Sequence, residues 1–273
     1  MITARYINME NAIQRRESFE ENVRLVNLPF PITRFPAKQI QSGNDFLTRG
    51  EIGCFLSHVE ATLECNESDL LLIFEDDCII TNSFKKIIPS LISLHVDEEM
   101  PDIVFFNGGI NTHNIDHIKK MLNHMEKIGD FSMDEYSNFQ LIPAQELYVH
   151  GSSAYAISAN GRQKINNIYA NYIKNELKEP IDLLVKRCIS SGIISASVVF
   201  PFVTGIDFDS KSQMEGRQAS DYTKLYDAAA NLFVADHGLI EKLEDFSLDI
   251  NRSSFVNRLN NIASKLAMKN FYS

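Results

Sequence analysis

Leu70-Leu71-Leu72-Ile73-Phe74 runs without a break into Glu75-Asp76-Asp77. Five consecutive apolar residues of strand length, with no polar alternation, are the pattern of a strand buried on both faces, as in parallel sheets covered by helices. Three carboxylates at the end of such a strand lie where open α/β sheets bind ligands, beyond the carboxyl ends of their strands. Adjacent carboxylates repel, and a hard divalent cation with oxygen ligands, Mg²⁺ or Mn²⁺, is the least costly way to hold them together. A cation held by one or two carboxylates keeps open positions that phosphate oxygens fill. The alternative is that Asp76 and Asp77 cap the next turn and face water, a common use of acidic pairs.

Working outward, short apolar runs alternate with stretches of helical period. Strands are expected at 3–8, 32–36, 102–107, 153–158 and 193–200, and helices at 10–26, 83–94, 114–128, 160–176 and 181–191. That alternation predicts an α/β domain. The clearest helix spans 49–65: Thr48-Arg49-Gly50-Glu51 has the spacing of a capping box, and Ile52, Phe55, Leu56, Val59 and Leu63 follow on one face.

With 273 residues, 44% hydrophobic and 23% charged, the chain can bury a core without disulfides or a structural metal. Its 26 basic and 36 acidic side chains give a formal charge of −10 with no Lys/Arg-rich run, which argues against a nucleic-acid partner. Cys54, Cys65, Cys78 and Cys188 form no CxxC pair and read as reduced core thiols. No basic segment leads into an apolar one at the start, and no window approaches about 18 apolar residues, so a cytoplasmic, non-spanning protein is expected. Neither GxGxxG nor GxxxxGK[ST] is present to cradle phosphates, which leaves their neutralisation to the cation.

Several strings carry a family resemblance. Tyr6-Ile7-Asn8-Met9 with Arg15-Arg16, then Leu47-Thr48-x-Gly50-Glu51-Ile52-Gly53-Cys54-Phe55-Leu56-Ser57-His58, then Ile73-Phe74-Glu75-Asp76-Asp77 resemble glycosyltransferase family 25, the bacterial lipooligosaccharide β-galactosyltransferases related to the galactosyltransferases of collagen. Gly151-Ser152-Ser153-Ala154-Tyr155-Ala156-Ile157-Ser158 and Pro180-Ile181-Asp182 extend the likeness. The resemblance implies a GT-A-like, Rossmann-type nucleotide-sugar domain over 1–245, with a mostly parallel central sheet flanked by helices. It implies a divalent cation bridging the acidic motif to the diphosphate of a UDP-sugar, and transfer of a hexose, galactose first among them, with inversion to a β-linkage on a lipooligosaccharide acceptor. UDP-glucose or a UDP-N-acetylhexosamine as donor, a phosphoesterase using water as acceptor, and a non-catalytic sugar-nucleotide or glycan-binding module are the other readings.

Under that resemblance Asp77 and Asp76 are metal ligands, and Glu75 supports the ribose or the fold. Asp182 is the base that takes the acceptor proton, against a reading in which it only interacts with its own helix dipole; Glu179 is the fallback. Asn8, Arg15 and Arg16 are donor-side residues, although paired arginines on an amphipathic helix also read as a solvated face. Glu51 and His58 are assigned to the donor pocket, against a purely capping glutamate and a satisfied histidine at a helix–sheet junction. After the last strand, Asp207 or Asp209 is offered to the metal and Lys211 to a phosphate, since this loop lacks the collagen-type histidine. His113, Asp116, His117 and His124 read as a solvated helix face in preference to a zinc site, on a 110–140 insertion that shapes the acceptor side.

Residues 246–273 are expected to form a separate amphipathic helical tail. Arg252, Arg258, Lys265 and Lys269 stand against Asp249 alone, and Phe255, Leu259, Ile262 and Leu266 recur at helical spacing. Over 250–273 the tail suits peripheral contact with the cytoplasmic face of an inner membrane, or equally packs on its own domain.

Overall fold

The computed structural model describes residues 1–66, 68–110, 114–128, 139–207 and 229–235. All of these fall in the first of the two units into which the chain divides, Met1–Ile240. In chain order the elements are β1 (Ile2–Asn8), α1 (Ile13–Val26), β2 (Thr33–Pro36), α2 (Arg49–Leu63), β3 (Leu70–Glu75), β4 (Cys78–Ile80), α3 (Phe84–Val96), β5 (Ile103–Phe105), α4 (Ile115–Ile128), β6 (Gln140–Pro143), α5 (Ala144–Leu147), β7 (Ala154–Ile157), α6 (Ala159–Ile173), α7 (Ile181–Ser190), β8 (Ala196–Phe200) and β9 (Thr204–Ile206).

Seven strands form one sheet in the order β2-β1-β3-β7-β5-β8-β6, and β4 pairs with β9 in a small second sheet. β1 is parallel to both β2 and β3, and β5 is parallel to β8. β7 runs antiparallel to β3 and β5, and β6 antiparallel to β8. The α/β expectation therefore holds, as a mixed sheet in which five of seven strands share one direction. This is the mostly parallel sheet expected; which strands are reversed is set by pairing between distant segments. β4, β6, α5 and β9 have no expected counterpart: each spans three or four residues, too few for a period to register.

The apolar run that opens the argument is the buried interior of this sheet. Leu70 to Phe74 are essentially inaccessible, each burial stabilising by about 1.5–3 kcal/mol. Successive side chains alternate between the two faces. Leu70, Leu72 and Phe74 join Phe19 of α1 and Phe84, Ile87 and Leu91 of α3 in one core. Leu71, Ile73 and Glu75 consequently face the opposite layer, where α2 lies. The register Ile7↔Glu75 between β1 and β3 brings Asn8 and Asp76 out side by side at one end of the sheet. Because β7 is antiparallel, its entry residues Ser152 and Ser153 reach the same end, and the Glu75 N–H donates to the Ser153 carbonyl at 2.7 Å.

Of the cysteines, Cys78 and Cys188 are buried, but Cys54 and Cys65 are half-exposed, contrary to the core assignment; none of the four is in a disulfide. Cys54 lies on the cavity face of α2, and Cys65 lies past the end of that helix. Among the described residues no helix is long and apolar enough to cross a membrane.

Candidate active site

Asn8 ends β1 with its side chain buried and fully engaged. Its amide donates to Asp76 Oδ2 at 2.6 Å and to the Ala12 carbonyl at 3.2 Å, while its oxygen accepts from Arg34 Nε at 2.9 Å. It therefore orients Asp76. Arg15, in the first turn of α1, brings one nitrogen to both aspartates: Nη2 is 2.5 Å from Asp76 Oδ1 and 2.6 Å from Asp77 Oδ2. The Arg15 side chain is 13% exposed, and its buried Nε has no hydrogen-bond partner among the described residues. Burial works against the Arg15 charge, but Asp77 and Asp76 outweigh it and raise the guanidinium's pKa. Burial also raises the Asp76 carboxyl, an effect Arg15 and Asn8 oppose without reversing. Arg16 looks elsewhere: its charge is felt at the phenol of Tyr6, which donates to Glu20 on the neighbouring face of α1.

The opposite wall is one face of α2. The capping box forms as its spacing predicts, with the Glu51 N–H donating to Thr48 Oγ1 at 3.3 Å and the Thr48 N–H to Glu51 Oε2 at 3.0 Å. That contact orients Glu51 on the helix end. Gly50, Gly53, Cys54, Ser57 and His58, spaced by three, four, seven and eight residues, share the cavity face. Ser57 Oγ donates to the Gly53 carbonyl at 2.6 Å and accepts from the Lys38 N–H at 2.8 Å, which clamps the segment after β2 onto the helix. Gly53 permits this approach, since a Cβ there would stand 2.7 Å from the Lys38 carbonyl oxygen.

His58 is wholly buried where α2 crosses the sheet. Its Nδ1 is 2.8 Å from the Tyr155 hydroxyl and its Nε2 is 3.1 Å from Glu75 Oε1, which also accepts from Ser152 Oγ at 3.1 Å. Burial would raise the Glu75 carboxyl, but the bonds from His58 and Ser152 and the charge of Arg15 hold it below its ordinary value. Cys54, His58 and Glu75 bring one ligand atom each within 4.8 Å of one another, a possible metal site of mixed donors.

Beyond Glu75 lies Tyr148, whose hydroxyl donates to the Gly151 carbonyl at 2.9 Å and whose ring stacks on Phe105. Burial raises its phenol, and the charges of Asp182 and Glu75 add to the shift, so both carboxylates lie within electrostatic reach of this ring. Asp182 is half-buried in the first turn of α7, with Oδ1 accepting from the Leu183 N–H at 2.9 Å. Glu179 is engaged by Arg187 Nε at 3.0 Å and by Tyr172 at 3.2 Å. The Asp207 N–H donates to the Asp77 carbonyl at 2.8 Å, continuing the β4–β9 pairing and tying this loop to the acidic turn. Asp209 and Lys211 lie outside the described residues, as do His113 and the tail.

The other α4 histidines are not a solvated face. His117 is buried, and His124 packs against Phe200 and lies 3.5 Å from Glu146. α4 turns this side inward because Ile118, Met121 and Met125 share it.

These walls enclose a cavity of about 320 Å³, at the small end of ligand-pocket sizes. Arg15, His58, Glu75, Asp76 and Asp77 line it, together with Ala37–Ile40 and the α2 face. Asn8 supports it from behind, while Arg16, Glu51 and Asp182 are not in its lining. The sequence offers Gly53, Ser57, Ser152 and Tyr155 only as parts of the family strings, and Cys54 only as a core thiol, with no place in the site. The helical spacing of Gly53, Cys54 and Ser57 with His58 was the available signal. Lys38, Gln39 and Ile40 carried none.

A model of glycosyltransferase family 25, described as an LPS biosynthesis protein family, matches residues 33–185. Among solved structures, the galactosyltransferase LgtC in complex with donor and acceptor sugar analogues is 9% identical, covering 72% of this chain and 73% of its own, with a TM-score of 0.39. An active-site mutant of LgtC is likewise 9% identical, covering 72% and 71%, with a TM-score of 0.38. No curated protein matches the chain.

Proposed function

The chain belongs to glycosyltransferase family 25, and from that premise we propose that it transfers a hexose, galactose first, from a UDP-sugar to a lipooligosaccharide-type acceptor with inversion to a β-linkage. The observation that carries this reading is the convergence of Asp76 Oδ1 and Asp77 Oδ2 on one cation-sized point beside the cavity, within the family-matched stretch. Two hard oxygen donors aimed at one point fit a divalent cation. Asp77 and Asp76 would hold Mn²⁺ or Mg²⁺, which supplies Lewis-acid stabilisation of charge on the departing UDP. The Cys54–His58–Glu75 group, with its thiol, suits a softer ion.

The chain's own residues do the rest. The Ala37–Ile40 segment and the α2 face form the walls against which the nucleoside packs, and Arg15 supplies positive charge at the diphosphate. His58 and Ser152 hold Glu75 ionised at the back of the cavity, which keeps the acidic turn in register. Asp182, the proposed base, takes the proton of the attacking acceptor hydroxyl. Half-buried and without a cationic partner among the described residues, it is favoured over Glu179, which Arg187 neutralises. A donor carrying glucose or an N-acetylhexosamine is the nearest alternative within the same chemistry.

The test is a UDP-sugar panel with and without Mn²⁺, scored for UDP release in the presence of a lipooligosaccharide acceptor. One donor should give metal-dependent release, abolished in Asp77→Ala and reduced at least about 100-fold in kcat in Asp182→Asn. Binding without turnover for every donor, unchanged in Asp77→Ala, would instead favour a binding module.

A further inference from the structure

We infer that Arg15 is the resident cation of the acidic turn and excludes a divalent ion until a nucleoside diphosphate arrives to accept the guanidinium. The inference rests on the metal-and-diphosphate reading above. It adds an order of events and a second role for one residue.

The geometry is that of substitution. A single nitrogen, Nη2, lies 2.5 Å from Asp76 Oδ1 and 2.6 Å from Asp77 Oδ2. Divalent cations take carboxylate oxygens at about 2.0–2.6 Å, so an ion bridging the same two oxygens and Nη2 cannot both occupy that point. Asp76 has little room to serve both, because its other oxygen already accepts from Asn8.

Charge decides which cation wins. Asp76, Asp77 and the guanidinium sum to −1, a state in which each carboxylate has its partner, and Glu75 adds a further negative charge within reach of Arg15. A divalent ion added while Arg15 stays would lie at contact distance from the guanidinium in a partly buried place, where like charges are costly whatever the net sum. Moving Arg15 away alone would leave a side chain that is 13% exposed without a counter-charge. A diphosphate removes both difficulties, since it brings negative charge for the metal's open positions and a new acceptor for the guanidinium. Arg15 Nε points the same way: it is buried and has no hydrogen-bond partner among the described residues, so an arriving phosphate oxygen would add a bond without breaking one. Metal and UDP then bind cooperatively, and the coupling is reciprocal.

The experiment measures Mn²⁺ binding by electron paramagnetic resonance of the free ion, on the full chain, with and without saturating UDP, correcting for the Mn²⁺ that UDP binds itself. No turnover is involved. The wild type should bind Mn²⁺ at least about tenfold more tightly with UDP than without, within the usual range of coupling between sites. Arg15→Met should bind Mn²⁺ without UDP at least about tenfold more tightly than the wild type, lose most of the dependence on UDP, and bind UDP alone more weakly. Arg15→Gln, which keeps an N–H donor for one carboxylate and removes only the charge, gives the same comparison if Arg15→Met does not fold. Equal Mn²⁺ affinity of wild type and variants without UDP overturns the exclusion by Arg15 while leaving the metal reading intact. Absence of Mn²⁺ binding in every arm overturns both.

Discussion

His117 takes its pH behaviour from where α4 puts it. Burial lowers its pKa below the ordinary value of 6.5, the nearby Lys120, Lys186 and His150 lower it further, and a hydrogen bond to the Gly109 backbone opposes them. The unfolded chain takes up a proton near 6.5, whereas the folded chain holds the ring neutral to lower pH. Between those values the unfolded state binds more protons, so stability falls as pH drops through that window. His117→Leu should flatten this part of the profile: the loss in urea-unfolding free energy between pH 7.5 and 5.5 should be smaller than in the wild type. An equal loss would place the sensitivity elsewhere. At this scale the sequence named residues well and partners poorly. The family strings place Arg15, Asp76 and Asp77 in one site, but the arginine lies 61 and 62 positions before the carboxylates it bridges, and local pattern carries no information across that gap.

At the scale of elements, α2 carries two functions in one sequence. Its capping box and apolar face are local, periodic signals, and both are legible in the sequence. Its other face, from Gly50 to His58, packs so closely on the segment after β2 that a side chain at Gly53 has no room. Gly→Ala in a helix interior ordinarily stabilises by about 1 kcal/mol. Gly53→Ala should instead destabilise by about 1–3 kcal/mol, because Lys38 and the Ala37–Ile40 wall must shift. The measurement is thermal unfolding together with the KM for the donor; a raised Tm at unchanged KM would contradict the packing argument. Thr48→Ala supplies the contrasting case. Loss of the cap should cost about 1 kcal/mol, with kcat unchanged, because this pair satisfies the helix end. A kcat loss with Tm unchanged would instead give Glu51 a role at the donor.

At the scale of the whole molecule, the proposed function rests on one end of the sheet, where β1, β3 and the entry to β7 deliver Asn8, the acidic turn and Ser152 together. The basic, amphipathic sequence of the tail, which lies outside the described residues, is the ground for proposed membrane-surface contact. Deleting 250–273 should lower co-sedimentation with vesicles rich in anionic lipid, and undiminished binding would remove that role. The sequence by itself determined the α/β class, the central buried strand, the capped helix and the acidic turn, because each is encoded by neighbours within a few turns or one strand. Only the tertiary structure decided that β7 runs against its neighbours, that α4's histidines face inward, that Glu75 is braced by His58 and Ser152, and that Arg15 stands between Asp76 and Asp77. Those outcomes follow from strand register and helix packing, which join residues distant in the chain through burial and charge that no local period records.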